Sequence, residues 1–174
     1  MKFPTREECF SWYEEQNTPK NIIEHVKTVN KVANFLAEKL SKKGIKINLE
    51  LVDKASLLHD LDKWQCINDK SINHGFETEK ILTKKGYPEI GFYARQHRAD
   101  LIVEKFKTWE EKIVSYADKR CNGDKVVSLK ERFDYVNEKY PAKDINKRKE
   151  EIRLFYELES EIFNIIGINP DELK

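Results

Sequence analysis

Ala55-Ser-Leu-Leu-His-Asp-Leu-Asp-Lys-Trp64 sets a histidine and an aspartate side by side at the end of an apolar run. Burying an ionised carboxylate without a partner is very costly. A buried His59-Asp60 pair therefore calls for a cation, an ion pair or a different helix phase. Upstream, Asn48 can cap a helix on which Leu51, Val52, Ala55, Leu57, Leu58 and Leu61 cover most of the circumference. A helix that is apolar nearly all round is buried, so this is the expected central helix.

Outward from it, helical signals dominate. Thr5-Arg-Glu-Glu8 and Thr108-Trp-Glu-Glu111 are capping boxes, and Ser128-Leu-Lys-Glu131 is a further start. Thr18-Pro19 opens a long helix with the stripe Ile22, Val26, Val29, Ala33, Leu36 and Leu40, which Gly44 stops. Further helices are expected from about Gly75 to Lys85, from Pro88 to about His97, and from Thr108 to the breaker Asn122-Gly123. Two more run from Ser128 to about Tyr140 and from Asp144 to Ile166. Trp64 to Asn73 is polar and reads as a loop. No alternating strand pattern of useful length occurs. The expectation is an all-α fold, one domain over residues 1–174 with seven or eight helices. Its core covers about 18–140, with helices at 5–16 and 144–166 packed on it.

Composition narrows the function classes. Basic and acidic residues number 32 and 31, for a net charge of +1, which argues against a dedicated nucleic-acid surface. Hydrophobic residues make up 39%, enough for a folded core. Cys9, Cys66 and Cys121 are widely spaced with no C-x-x-C pair, so no zinc knuckle or disulfide framework is indicated. Reduced thiols, a charged N-terminus and no membrane-length apolar run make a cytoplasmic protein the expectation.

The four histidines, His25, His59, His74 and His97, form the second clue. His25 shares the inward stripe of its helix with Ile22 and Val29. His59 lies four residues after Ala55, and Asp60 follows about 100° round the helix. His97 lies four residues after Tyr93, and Asp118 four after Val114. Taken singly, an inward histidine is more often a hydrogen-bonded core residue than a ligand, and an inward aspartate is usually a cap or half an ion pair. Together they form one ordered set on different helices, as bundle-core metal sites do.

The set resembles the HD-domain phosphohydrolase superfamily. Ile22-Ile-Glu-His-Val-Lys-Thr-Val29 is similar to the segment around its first histidine, Ala55-Ser-Leu-Leu-His-Asp-Leu-Asp-Lys63 to its signature, and Tyr116-Ala-Asp-Lys-Arg120 to its final aspartate motif. His74-Gly and Gln96-His97 resemble the extra histidines of two-metal members. The resemblance implies that His25, His59, Asp60 and Asp118 hold one metal, and that Asp60 bridges to a second completed by His74 and His97. A His/Asp set without Cys suits Fe, Mn, Ni, Co or Zn, with Mg as a harder alternative. Such an ion would acidify a bound water toward hydroxide near neutral pH. The implied activity is hydrolysis of a phosphate ester, commonly a nucleotide or related small molecule, with Asp60 and Lys63 in the catalytic set.

Lys63, Arg98 and Arg120 are the expected substrate-binding cations, and Asp62 is a candidate for orienting a ligand histidine. Leu61-Asp62 stands where many signalling members read Ile-Gly, which lowers the case for cyclic-dinucleotide hydrolysis. The order of histidines resembles the HD-type diadenosine tetraphosphate hydrolases, but Arg98-Ala-Asp-Leu101 departs from them. Two alternatives share the scaffold: a di-iron oxygenase, and a non-catalytic module that binds a nucleotide.

Overall fold

The structure is a computed structural model that describes residues 1–173. Among these residues the chain forms nine α-helices: α1 (Arg6–Glu15), α2 (Lys20–Lys42), α3 (Leu49–Leu58), α4 (Lys63–Asn68), α5 (Phe76–Lys84), α6 (Pro88–Arg95), α7 (Trp109–Lys119), α8 (Leu129–Lys139) and α9 (Ile145–Ile166). The fold is all-α, as the periodicity indicates. The Thr5, Thr108 and Ser128 capping boxes are all formed. None of the described helices is long and apolar enough to cross a membrane.

Two local expectations are corrected. The segment read as a loop from Trp64 contains α4, whose residues are all at least partly exposed, so its polar sequence carries no apolar stripe to read. Beyond α7 the chain does not merely break at Asn122-Gly123. It folds into a hairpin, β1 (Cys121–Asn122) against β2 (Lys125–Val126), paired antiparallel. Gly123 turns it with φ of +60°, a conformation that side chains disfavour.

α2 runs through the centre and packs against α3, α7 and α9. One apolar cluster joins Leu36, Leu40, Ile113, Phe155 and Ile162, from α2, α7 and α9. A second joins Tyr13, Val26, Leu57, Leu82 and Ile90, from α1, α2, α3, α5 and α6. α5 and α6 form a tight helical hairpin. A Cβ added at Gly91 would meet the Glu79 carbonyl oxygen at 2.9 Å, so only glycine lets the two backbones approach this closely.

Polar bonds fix the first three helices around Asp53. Its Oδ1 accepts from Arg6 (2.7 Å), Asn30 (3.0 Å) and Asn34 (2.8 Å), and its Oδ2 from Lys54 (2.8 Å). Burial opposes ionisation, but the bonds from Lys54, Asn34 and Asn30 outweigh it and bring the carboxyl from 3.8 down to about 2. A depressed carboxylate stabilises the fold above its unfolded value and loses that contribution as pH falls through the folded one. With screening at this half-buried site, the contribution is about 1 kcal/mol. Asp53→Asn should therefore be less stable than the parent near neutral pH in urea denaturation. The gap should close as pH drops from about 4 toward 2, and a gap that persists there would contradict the linkage.

Candidate metal centre

Three helices end at the site. His59 is the residue that caps the C-terminus of α3, His97 lies two residues past α6, and Asp118 lies in the last turn of α7. Helix C-termini carry partial negative charge, so three of them meeting favours a cation. His25 comes from α2 and His74 from the loop before α5.

The histidine rings are all aimed the same way. His59 Nδ1 donates to the Ser56 carbonyl (2.7 Å), and His97 Nδ1 to the Ala94 carbonyl (2.8 Å). In both, a histidine just past a helix bonds a carbonyl of that helix's last turn, three residues back. His25 Nδ1 donates to the Gly123 carbonyl (3.0 Å), so the hairpin turn orients it. His74 Nδ1 bonds Asp62 Oδ1 (2.7 Å). A carbonyl can only accept, so Nδ1 of His25, His59 and His97 must carry a proton. Four Nε2 atoms are left facing inward.

They meet the two oxygens of one carboxylate. Asp60 Oδ2 faces His59 Nε2 (3.8 Å) and His25 Nε2 (3.9 Å), while Oδ1 faces His74 Nε2 (3.2 Å) and His97 Nε2 (3.6 Å). Asp118 Oδ1 closes the first side at 3.2 Å from His25 Nε2 and 3.8 Å from His59 Nε2. His25, His59 and Asp60 thus form one group able to hold an ion, and Asp60, His74 and His97 another. The six residues expected to be ligands are all brought together.

Two features fit these groups to cations. His59 Nε2 is buried with no hydrogen-bond partner among the described residues, and an orphaned buried acceptor is rare. His74 Nε2 and His97 Nε2 lie only 2.9 Å apart, so they must share either a proton or a cation. Burial, then the neighbouring His74 and His59, push His97 well below the usual histidine range. Burial also lowers His59, despite Asp60 and Asp118. Both rings are therefore neutral and offer lone pairs.

The surrounding shell is equally defined. Asp62 is fully buried and accepts from Gly75 N (2.6 Å) and Thr78 N (3.0 Å) at the start of α5 while holding His74. Cys66 lies near enough to Asp62 and His74 to suggest a third group, but both Asp62 oxygens are already occupied by these donors. Asp62 is the orienting residue that the sequence suggested. Lys119, which sequence reading missed, is buried and donates to Asp118 Oδ2 (2.5 Å) and the His97 carbonyl (2.7 Å), tying the two halves of the site together. Burial opposes ionisation of Asp118, but Lys119, His25 and Arg132 outweigh it and hold the carboxyl well below its usual range.

A cleft of about 220 Å³ opens onto His25 and Asp60. Of the expected cations only Lys63 reaches it, with Nζ 3.9 Å from Asp60 Oδ1. Arg98 instead braces the loop that carries His74, donating to the His74 carbonyl (2.5 Å), Asn73 Oδ1 (2.8 Å) and Asp100. Arg120 turns to another part of the molecule, donating to Tyr116 Oη (2.6 Å), the Val127 carbonyl (2.7 Å), Glu159 Oε2 (3.2 Å) and the Pro170 carbonyl (3.0 Å). It clasps α7, the hairpin, α9 and the C-terminal segment. The cation in its expected place is Arg132 of α8, which lines the cleft 3.7 Å from Asp118 Oδ1. Breaking such a buried network costs about 3 kcal/mol or more. Arg120→Ala should lose about that much in urea unfolding while the folded fraction keeps its metal. Loss of metal with unchanged stability would return Arg120 to the site.

The chain is 28% identical to a tRNA (cytidine(56)-2'-O)-methyltransferase of Picrophilus torridus over 184 aligned positions, which cover 98% of the chain and 50% of that protein. It is 29% identical to an uncharacterized protein of Methanocaldococcus jannaschii, over 84% of the chain and 90% of that protein. The chain thus spans half the length of the methyltransferase it matches. No solved structure matches significantly. Residues 22–134 match the HD domain, a span that holds all six clustered side chains. The chain belongs to the HD-domain family, whose members bind divalent metals on an all-α fold.

Proposed function

We propose that this protein is a metal-dependent phosphohydrolase acting on a phosphate ester, a nucleotide or related small molecule. One observation carries the reading: a single carboxylate, Asp60, presents each oxygen to a different pair of histidine Nε2 atoms. His25, His59, Asp60 and Asp118 would hold one divalent ion, and Asp60, His74 and His97 a second. Bound there, the ions supply Lewis acidity and a water acidified toward hydroxide. Lys63 and Arg132 place two cations where the phosphoryl oxygens would lie, beside Asp60 and Asp118 respectively. Asp60, whose charge outweighs burial, raises Lys63 above the usual lysine range, so it remains a cation and cannot itself ligate a metal. Hydrolysis forms one P–O bond from water and breaks the P–O bond to the alcohol, whose oxygen takes the released proton.

The methyltransferase relative is twice the length of the matched region, and methyl transfer is not part of this reading. The test is a screen of phosphate monoesters and diesters with the manganese-loaded protein, run beside metal analysis and electron paramagnetic resonance. The expected result is metal-dependent release of phosphate or of a phosphomonoester. No hydrolysis of any ester by protein with both ions bound would overturn the proposal. A mixed-valent di-iron signal with oxygen consumption would establish the oxygenase in its place.

A further inference from the structure

α8 forms one wall of the cleft. Arg132, Val136 and Lys139 fall at i, i+4 and i+7, so they share a helix face, and all three line the cleft with Tyr135. This wall runs about 10 Å along the helix, from Asp118 out to the rim. Its inner end is a guanidinium with unused donors. Arg132 Nε is buried without a partner among the described residues. Its other contacts are long, 3.4 Å to Asn122 Oδ1 and 3.7 Å to Asp118 Oδ1. A planar fork of donors left open beside a metal centre suits the oxygens of a phosphoryl group.

The outer end differs in character. Pro141 follows Tyr140, which disfavours the helical conformation for the residue before it and ends α8 there. The Tyr140 ring therefore stands at the rim, 58% exposed. Lys139 Nζ takes its place between two rings, donating to Tyr135 Oη (2.8 Å) and lying 5.7 Å from the Tyr140 centroid. Ile67 of α4, also exposed, lines the same cleft. A charged floor thus passes into an apolar, aromatic mouth. Residues 135–140 lie beyond the span matched to the HD domain.

We infer that the α8 wall is a subsite for the alcohol half of the substrate, with Arg132 on the phosphoryl oxygens and Tyr140 stacked on a flat ring. The inference rests on the phosphohydrolase reading and narrows it to monophosphate esters of ring-bearing alcohols, the class of nucleoside monophosphates. The cleft, about 220 Å³, has one charged end at Arg132 and one aromatic end at Tyr140, which matches one phosphoryl group and one ring.

Calorimetric titration of the manganese-loaded protein tests this with three compounds that cannot be hydrolysed: orthophosphate, methylphosphonate and the phosphonate analogue of adenosine monophosphate. The parent should bind the ring-bearing analogue about tenfold more tightly than methylphosphonate, from the stacking of one base. Tyr140→Ala should remove that advantage and leave orthophosphate binding unchanged. Arg132→Ala should keep its metal and weaken all three compounds. The subsite is overturned by a parent with no ring preference, or by a Tyr140→Ala variant that retains it. Loss of metal from Arg132→Ala would remove the phosphoryl role. Because binding is read without turnover, failure of the hydrolysis screen leaves this test intact, and an unchanged ring preference sinks the subsite even if esters are hydrolysed.

Discussion

Asp60→Ala should lose most of its bound metal and all measurable hydrolysis. The variant deletes the group that faces all four inward Nε2 atoms, at 3.2–3.9 Å. Losing a residue that merely orients a ligand typically costs about 10–100-fold in metal affinity. If Asp60 serves two ions, as proposed, its removal should exceed that range, because both sites would lose a ligand and a negative charge together. The buried imidazoles would then face two cations with only Asp118 to offset them. His74→Ala and His97→Ala should fall short of this effect, since Asp60 and the His25–His59–Asp118 side stay intact. Metal stoichiometry after gel filtration, with circular dichroism to show retained helix, gives the ranking. An Asp60→Ala protein that keeps two ions and full turnover would refute the bridging assignment.

The clustered histidines were readable in the sequence because helical phase is a local property. His25, His59 and His97 keep step with apolar neighbours, and the structure buries each where that step points. The cations were harder for the same reason. Lys63 lies three residues after Asp60, nearly one turn on, and shares its side of the chain. Arg120 lies two residues after Asp118, about 200° round α7, so nearness in sequence places it on the opposite face. Arg98 follows His97 directly but turns back to the His74 carbonyl. Arg132 and Lys119 carried no local signal, being two basic residues among 32. Their roles arise only when α7, α8 and the His97 turn are brought together. The hairpin that orients His25 has two-residue strands, too short to show alternation, although Asn122-Gly123 is itself a hairpin-turn signal. Asp62 was readable as an orienting residue, yet its partner His74 lies 12 residues away across α4 and a loop.

Lys63→Ala should separate catalysis from metal binding. The ammonium lies 3.9 Å from Asp60 Oδ1 and belongs to the cleft, whereas the inward Nε2 atoms do not depend on it for orientation. Their orientation comes from Ser56, Ala94, Gly123 and Asp62. Metal content should therefore stay near that of the parent. Catalysis should not. One preorganised charge contact on a developing oxyanion contributes about 2.7–4 kcal/mol where water is excluded. The Lys63 side chain is 36% exposed, so water screens the contact and its contribution falls below that range. A loss of about 2 kcal/mol, or roughly thirtyfold in kcat/KM, is the expected size. Lys63→Arg should restore part of it, since the charge returns with a different shape. Full metal with a thirtyfold deficit would place Lys63 on the phosphoryl group. A variant that loses its metal would make Lys63 a structural counter-charge to Asp60, and one with unchanged kcat/KM would remove it from catalysis altogether.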